Sequence, residues 1–89
     1  MAIQKETIDR AIEIARGFGA TRLIIFGSAA TAPETAKDID FACGGVDGWR
    51  LFELGARLEE ELQVHLDIIP LDPPTRFTHM IERRGRVLI

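Results

Sequence analysis

A single cysteine, Cys43, in 89 residues excludes an internal disulfide and fits a reducing compartment, the cytoplasm. No stretch approaches the ~18 consecutive apolar residues that a bilayer-spanning helix needs. The N-terminus carries Lys5, Glu6, Asp9 and Arg10 where a secretory signal would place an apolar run, so export is not expected. Basic residues are in the minority: a net charge of -3 is unlike a dedicated duplex-binding protein, and direct nucleic-acid binding is not expected. Internal repeats and low-complexity tracts are absent. What is present is 46% hydrophobic residues, which argues for a folded globule over disorder. At this length a single domain over residues 1–89 is expected, near the lower size at which one core is self-sufficient.

Apolar periodicity supplies the elements. Ile8, Ile12 and Ala15 recur at helical spacing between charged residues, which predicts a helix from Ile3 to about Phe18, stopped by Gly17 and Gly19. Arg22 to Phe26 is a short apolar run, read as a strand buried on both faces or nearly so. Gly27 then permits backbone angles that other residues resist, and a helical turn over Ala29–Ala32 would aim free N–H groups at one point. Pro33 to Lys37 reads as a polar loop, and Asp38 to Cys43 as the second strand, broken by Gly44, Gly45 and Gly48. Asp47 is a plausible N-cap for a helix over Trp49–Leu62, whose Leu51, Leu54, Leu58 and Leu62 form one stripe.

A third strand over Gln63–Ile69 follows, and the strand–helix–strand connection predicts that it runs parallel to the second. Asp72 as N-cap with Pro73 at the first helical position would start a further helix carrying Phe77, Met80 and Ile81. Gly85 would end it, before a last short strand over Val87–Ile89. The fold class expected is α/β (α+β): a small mixed sheet of three to four strands covered by helices, in the order α-β-α-β-α-β-α-β.

The chemistry concentrates on three acids. Side chains alternate across a strand, so Asp38 and Asp40 share one face while Ile39 and Phe41 share the other. By the same alternation Leu66 and Ile68 join the core side, and Asp67 shares its face with His65 and Ile69. Carboxylates held side by side repel, and a divalent cation is the usual remedy, since Mg2+ takes hard oxygen ligands from one or two carboxylates plus phosphates.

Other residues carry less. His65 reads first as an exposed or satisfied strand residue, and His79 as solvent-facing. Trp49 could stack a base, but packing at a helix start is the commoner role. Arg76, Arg83, Arg84 and Arg86 make a basic tail best explained by a solvated face and favourable charge at a helix C-terminus. Cys43 reads as a small core residue.

Gly27-Ser28 at a strand end, then residues 29–37, then Asp38-Ile39-Asp40 opening the next strand, then Asp67 on a later one, resembles the minimal nucleotidyltransferases (MNT domains) of the DNA polymerase beta-like superfamily. The close, Ile81 to Ile89, is similar too, so the resemblance covers most of the chain. It implies transfer of a nucleoside monophosphate, AMP from ATP by preference, to an acceptor hydroxyl with two Mg2+ ions. In that scheme Asp38 and Asp40 bridge the metals, and Asp67 completes the site that activates the acceptor. Gly27 and Ser28 hold the triphosphate. A chain this short leaves no room for a second domain to present the acceptor. The resemblance therefore implies a helical HEPN partner, often a toxin RNase, with the transferase as a type VII-like antitoxin.

Two positions depart from the pattern. Thr31 stands where many relatives carry an arginine, and Lys37 stands where a serine or threonine often precedes the first Asp. The missing arginine motivates an alternative, a binding module that neutralises its partner by contact alone. A third reading is a small-molecule transferase assembled by self-association.

Overall fold

The computed structural model describes residues 3–89. Its elements are α1 (Lys5–Gly17), β1 (Arg22–Phe26), α2 (Ser28–Thr31), β2 (Asp38–Gly44), α3 (Gly48–Leu62), β3 (His65–Pro70), α4 (Arg76–Arg84) and β4 (Arg86–Val87). The alternation of helices and strands is the expected one. The strands form one mixed sheet in the order β3-β2-β1-β4. β1 runs antiparallel to β2 and β4, and β2 runs parallel to β3, as the α3 crossover requires.

One sheet face carries most of the core. Leu23, Ile25, Ile39, Phe41, Cys43 and Leu66 meet Ala11, Ile14 and Ala15 of α1 and Leu51, Leu54 and Leu58 of α3. Phe41, Ile39, Leu23, Leu54 and Leu58 are fully buried, so each side chain contributes ~1.5–3 kcal/mol of apolar transfer. The other face is only half covered: Ile24 and Ala42 pack with Leu71 and with Ile81 of α4, flanked by Phe26 and Ile69. Beyond that patch, toward the start of β2, the same face is bare and acidic. No helix among the described residues is long and apolar enough to cross a membrane.

Helix ends follow local chemistry. α1 closes in a Schellman arrangement: Gly19, at φ 92°, follows Phe18, with Ala20 N–H donating to Ala15 O and Gly19 N–H to Arg16 O. α3 is capped by Gln63 in the left-handed region, so β3 begins at His65 and not at Gln63. α1 begins at Lys5, two residues later than the periodicity suggested.

The start of α4 is a correction. Asp72 is not its N-cap and Pro73 is not its first residue; Thr75 caps a helix that begins at Arg76. Both Asp72 and Pro73 precede a proline, which disfavours the helical region for each. Thr75 instead forms a reciprocal box with Thr78: Thr78 N–H donates to Thr75 Oγ1 at 3.1 Å, and Thr75 N–H donates to Thr78 Oγ1 at 2.8 Å. Gly85 does end α4, in an extended conformation (φ −78°, ψ 171°) and not in the left-handed turn that glycine permits. A Cβ there would lie 2.5 Å from Ile24 Cγ2. The last strand is Arg86–Val87, although Leu88 and Ile89 still donate to Leu23 O.

Candidate active site

β1 ends at Phe26, and Gly27 turns the chain into α2. Its angles, φ 72° and ψ −152°, lie in a region open essentially to glycine alone. The turn is held by Ala30 and Thr31 N–H groups donating to Gly27 O at 3.1 and 3.3 Å, with Thr31 Oγ1 donating to the same oxygen. Ser28 follows, exposed, at the first position of the short helix.

Sheet register carries the acids to this corner. Phe26 pairs with Asp40 across β1–β2, and Asp40 pairs with Asp67 across β2–β3. Asp38 pairs with His65 one step away on the same face. The closeness of strand and corner is direct: a Cβ on Gly27 would lie 2.6 Å from Asp40 Oδ2. Gly27, Asp40, Asp67 and Asp38 are therefore brought together from three separate segments, with Asp40 at the centre. Asp38 and Asp67 are exposed and Asp40 is half-buried.

The electrostatics follow from that placement. Asp40's pKa is raised above its ordinary 3.8, first by burial, then by the charges of Asp67 and Asp38. The ion pairs among the described residues engage Asp9, Glu13, Glu59, Glu61 and Glu82, and none engages this trio. Three hard oxygen donors thus share a face without a protein cation to offset them.

Among the described residues, no three His, Cys, Asp or Glu side chains are placed so that together they could hold a metal ion. That donor set still suits Mg2+, which dehydrates reluctantly and is bound by one or two carboxylates together with water and substrate phosphates. Asp38 and Asp40, with Asp67 beside them, are the residues that could hold it.

No family model and no curated protein matches the chain. Solved structures do. A chain of the toxin–antitoxin MntA-HpeT mutant crystal structure superposes with a TM-score of 0.78 at 18% identity, covering 92% of this chain and 72% of that one. The structure of a protein described as a minimal nucleotidyltransferase matches with a TM-score of 0.73 at 25% identity, over 91% of this chain and 88% of that one.

The chain has the minimal nucleotidyltransferase fold. A third match carrying this fold comes from the structure of a tri-AMPylated Shewanella oneidensis HEPN toxin in complex with an MNT antitoxin. Its TM-score is 0.76 at 19% identity, over 98% of this chain and 72% of that one.

Within the minimal nucleotidyltransferase fold, other side chains fall where composition did not put them. Trp49 does not pack at the start of α3: it is 76% exposed and stacks on Phe52, itself 68% exposed, at 5.4 Å between ring centroids. The two lie three residues apart and off the leucine stripe, a spacing that could have revealed an exposed aromatic face. Phe77 meets Phe26 edge-on at 5.9 Å, so an aromatic pair borders Asp40; no sequence pattern signalled it. His65 is exposed, with Nδ1 3.6 Å from Glu59 Oε2, and His79 faces solvent.

Proposed function

We propose that residues 1–89 act as one minimal nucleotidyltransferase domain that moves AMP from ATP onto a hydroxyl of a helical HEPN partner. In this reading the protein is the antitoxin of a toxin–antitoxin pair. The observation that carries the proposal is the meeting of Gly27, in the turn after β1, with Asp40 on β2, and of Asp40 with Asp67 on β3. The similar structures of toxin–antitoxin complexes, one with AMP-PNP and one with an AMPylated HEPN toxin, support the choice of nucleotide and partner.

Transfer of a nucleotidyl group asks a protein for positioning and charge neutralisation. Gly27 N–H and Ser28 would hold the triphosphate where no Cβ blocks its approach. Asp38, Asp40 and Asp67 would hold Mg2+, which supplies neutralisation of phosphate charge and activation of the acceptor oxygen. The acceptor oxygen bonds to the α-phosphorus, the bond from that phosphorus to the bridging oxygen breaks, and pyrophosphate leaves. The hydroxyl proton passes to Asp67 or through it to water. Cys43, buried and free, and the nucleotide substrate both fit a cytoplasmic setting.

The test is incubation of the protein and its HEPN partner with Mg2+ and each α-labelled nucleoside triphosphate. Label on the partner, strongest with ATP, is expected; no label with any nucleotide refutes catalysis.

Thr31 favours a second reading. Where relatives place a guanidinium, its hydroxyl instead donates to Gly27 O, leaving the turn without that positive charge. A binding module that neutralises its partner by contact would keep full activity in the Asp38→Asn/Asp40→Asn protein. Loss of neutralisation with the complex intact favours the enzyme.

A further inference from the structure

α4 lies on the sheet face that carries the acids. Its Ile81 is buried with Ile24 and Ala42, and a Cβ on Gly85 would meet Ile24, so the later part of the helix covers the middle of β1. Phe77, one turn before Ile81, meets Phe26 at the end of that strand. The helix therefore runs back along β1, and its first turn stands at the end where Gly27 turns the chain. Phe26 pairs with Asp40, and paired residues point to the same side of a sheet. The aromatic pair and the central acid thus share one face.

The two rings stand at 87° with centroids 5.9 Å apart, so they form a corner and not a stack. Phe26 is half-buried against the cluster of Ile24, Ala42, Leu71 and Ile81. Phe77 is 49% exposed. The apolar patch on this face therefore ends, toward the acids, in an aromatic ring half open to solvent. The exposed rings of Trp49 and Phe52 belong to α3, whose leucines pack on the opposite sheet face.

We infer that Phe77, backed by Phe26, is the surface on which the base of the nucleoside triphosphate stacks. A nucleotide has two unlike ends. Its phosphates need N–H donors and cations, and its base needs an apolar plane. The glycine corner and the acids supply the first at the end of β1, and Phe77 supplies the second beside them. Stacking on an aromatic ring accepts every base, since each has a π-face. A two-ring purine covers more of the Phe77 ring than a one-ring pyrimidine and gains more by it. This inference deepens the transferase reading and rests on the nucleotide site at Gly27.

The test separates the ring from the phosphates. Calorimetric titrations with Mg2+ compare three ligands: a non-hydrolysable ATP analogue, its CTP counterpart and inorganic tripolyphosphate. The proteins are the parent, Phe77→Ala, Phe77→Leu and Phe77→Tyr, with thermal melts to verify folding. Phe77→Ala is expected to weaken the ATP analogue by about fivefold or more, the low end for base–aromatic stacking, while tripolyphosphate binds as in the parent. Phe77→Leu keeps an apolar side chain without a ring and should also lose ATP affinity, whereas Phe77→Tyr should retain it. The CTP analogue should bind the parent more weakly than the ATP analogue, and Phe77→Ala should narrow that gap.

Unchanged ATP affinity in Phe77→Ala overturns the inference, because the base then lies elsewhere. Parental affinity in Phe77→Leu overturns stacking. A parallel fall in tripolyphosphate affinity also overturns it, because the substitution then acts on the phosphate corner. If neither the ATP analogue nor tripolyphosphate binds the parent, the nucleotide site itself is refuted. If both bind and Phe77→Ala changes neither, the nucleotide site stands and the role of Phe77 alone is refuted.

Discussion

Replacing Gly27 with alanine tests the corner on which the site is built. Two effects add. The backbone at φ 72°, ψ −152° is strained for any residue with a Cβ, at ~1–3 kcal/mol. The new methyl would also lie 2.6 Å from Asp40 Oδ2, so the carboxylate must move or the turn must open. In a domain of this size each kcal/mol corresponds to ~4–8 °C in Tm, so a fall of about 4–24 °C is expected. Gly17→Ala is the matched control: it ends α1 with nothing within 4 Å of the added Cβ. That variant should be neutral or stabilised by up to ~1 kcal/mol through helix propensity. Calorimetry gives both Tm values, and titration with a fluorescent ATP analogue gives affinity. Gly27→Ala should lose at least tenfold in nucleotide affinity, ~1.4 kcal/mol, while Gly17→Ala loses nothing. A Gly27→Ala protein with parental Tm and parental affinity would show that neither the strained turn nor its contact with Asp40 exists.

Asp40→Asn should abolish transfer yet stabilise the metal-free protein by about 0.5–1 kcal/mol, because it removes like-charge repulsion that water only partly screens. The sign with pH follows from the raised folded-state pKa. The folded protein binds the Asp40 proton more tightly than the unfolded chain, so this contribution to stability falls as pH rises from the ordinary 3.8 through the raised value. Melts of parent and Asp40→Asn across that range should therefore converge in acid, and Mg2+ should raise the Tm of the parent more than that of the variant. Thr75→Ala removes the acceptor for Thr78 N–H at the start of α4 and should cost ~1 kcal/mol in urea unfolding, with activity retained. Cys43, buried with its thiol pKa pushed up to about 11, should react with a thiol reagent at pH 8 only when denaturant unfolds the protein.

Much of this architecture was legible because it depends on period-2 alternation and on connection rules. Asp38, Asp40 and Asp67 alternate with Ile39, Phe41, Leu66 and Ile68, so one face had to be core and the other acidic; the parallel β2–β3 pairing followed from the crossover helix. Gly27 beside a following strand acid was legible as a pattern, but its contact with Asp40 was not, because it depends on the β1–β2 register. The start of α4 was misplaced because Asp72-Pro73 is a strong local signal, and the Thr75–Thr78 box that overrides it is built from weaker helix formers. Trp49 defeated composition-based reasoning for a different reason. Aromatic character predicts burial on average, whereas helix phase sets which face a residue occupies, and the leucine stripe had already claimed the buried one.

A crystal structure with Mg2+ and a non-hydrolysable ATP analogue tests whether the glycine corner and the three acids form one site. Triphosphate oxygens are expected against Gly27 N–H and Ser28, with a cation held between them and Asp38 and Asp40, and Asp67 facing the α-phosphate. A nucleotide bound elsewhere, or one seated at the glycine corner with no cation on the acids, would contradict it.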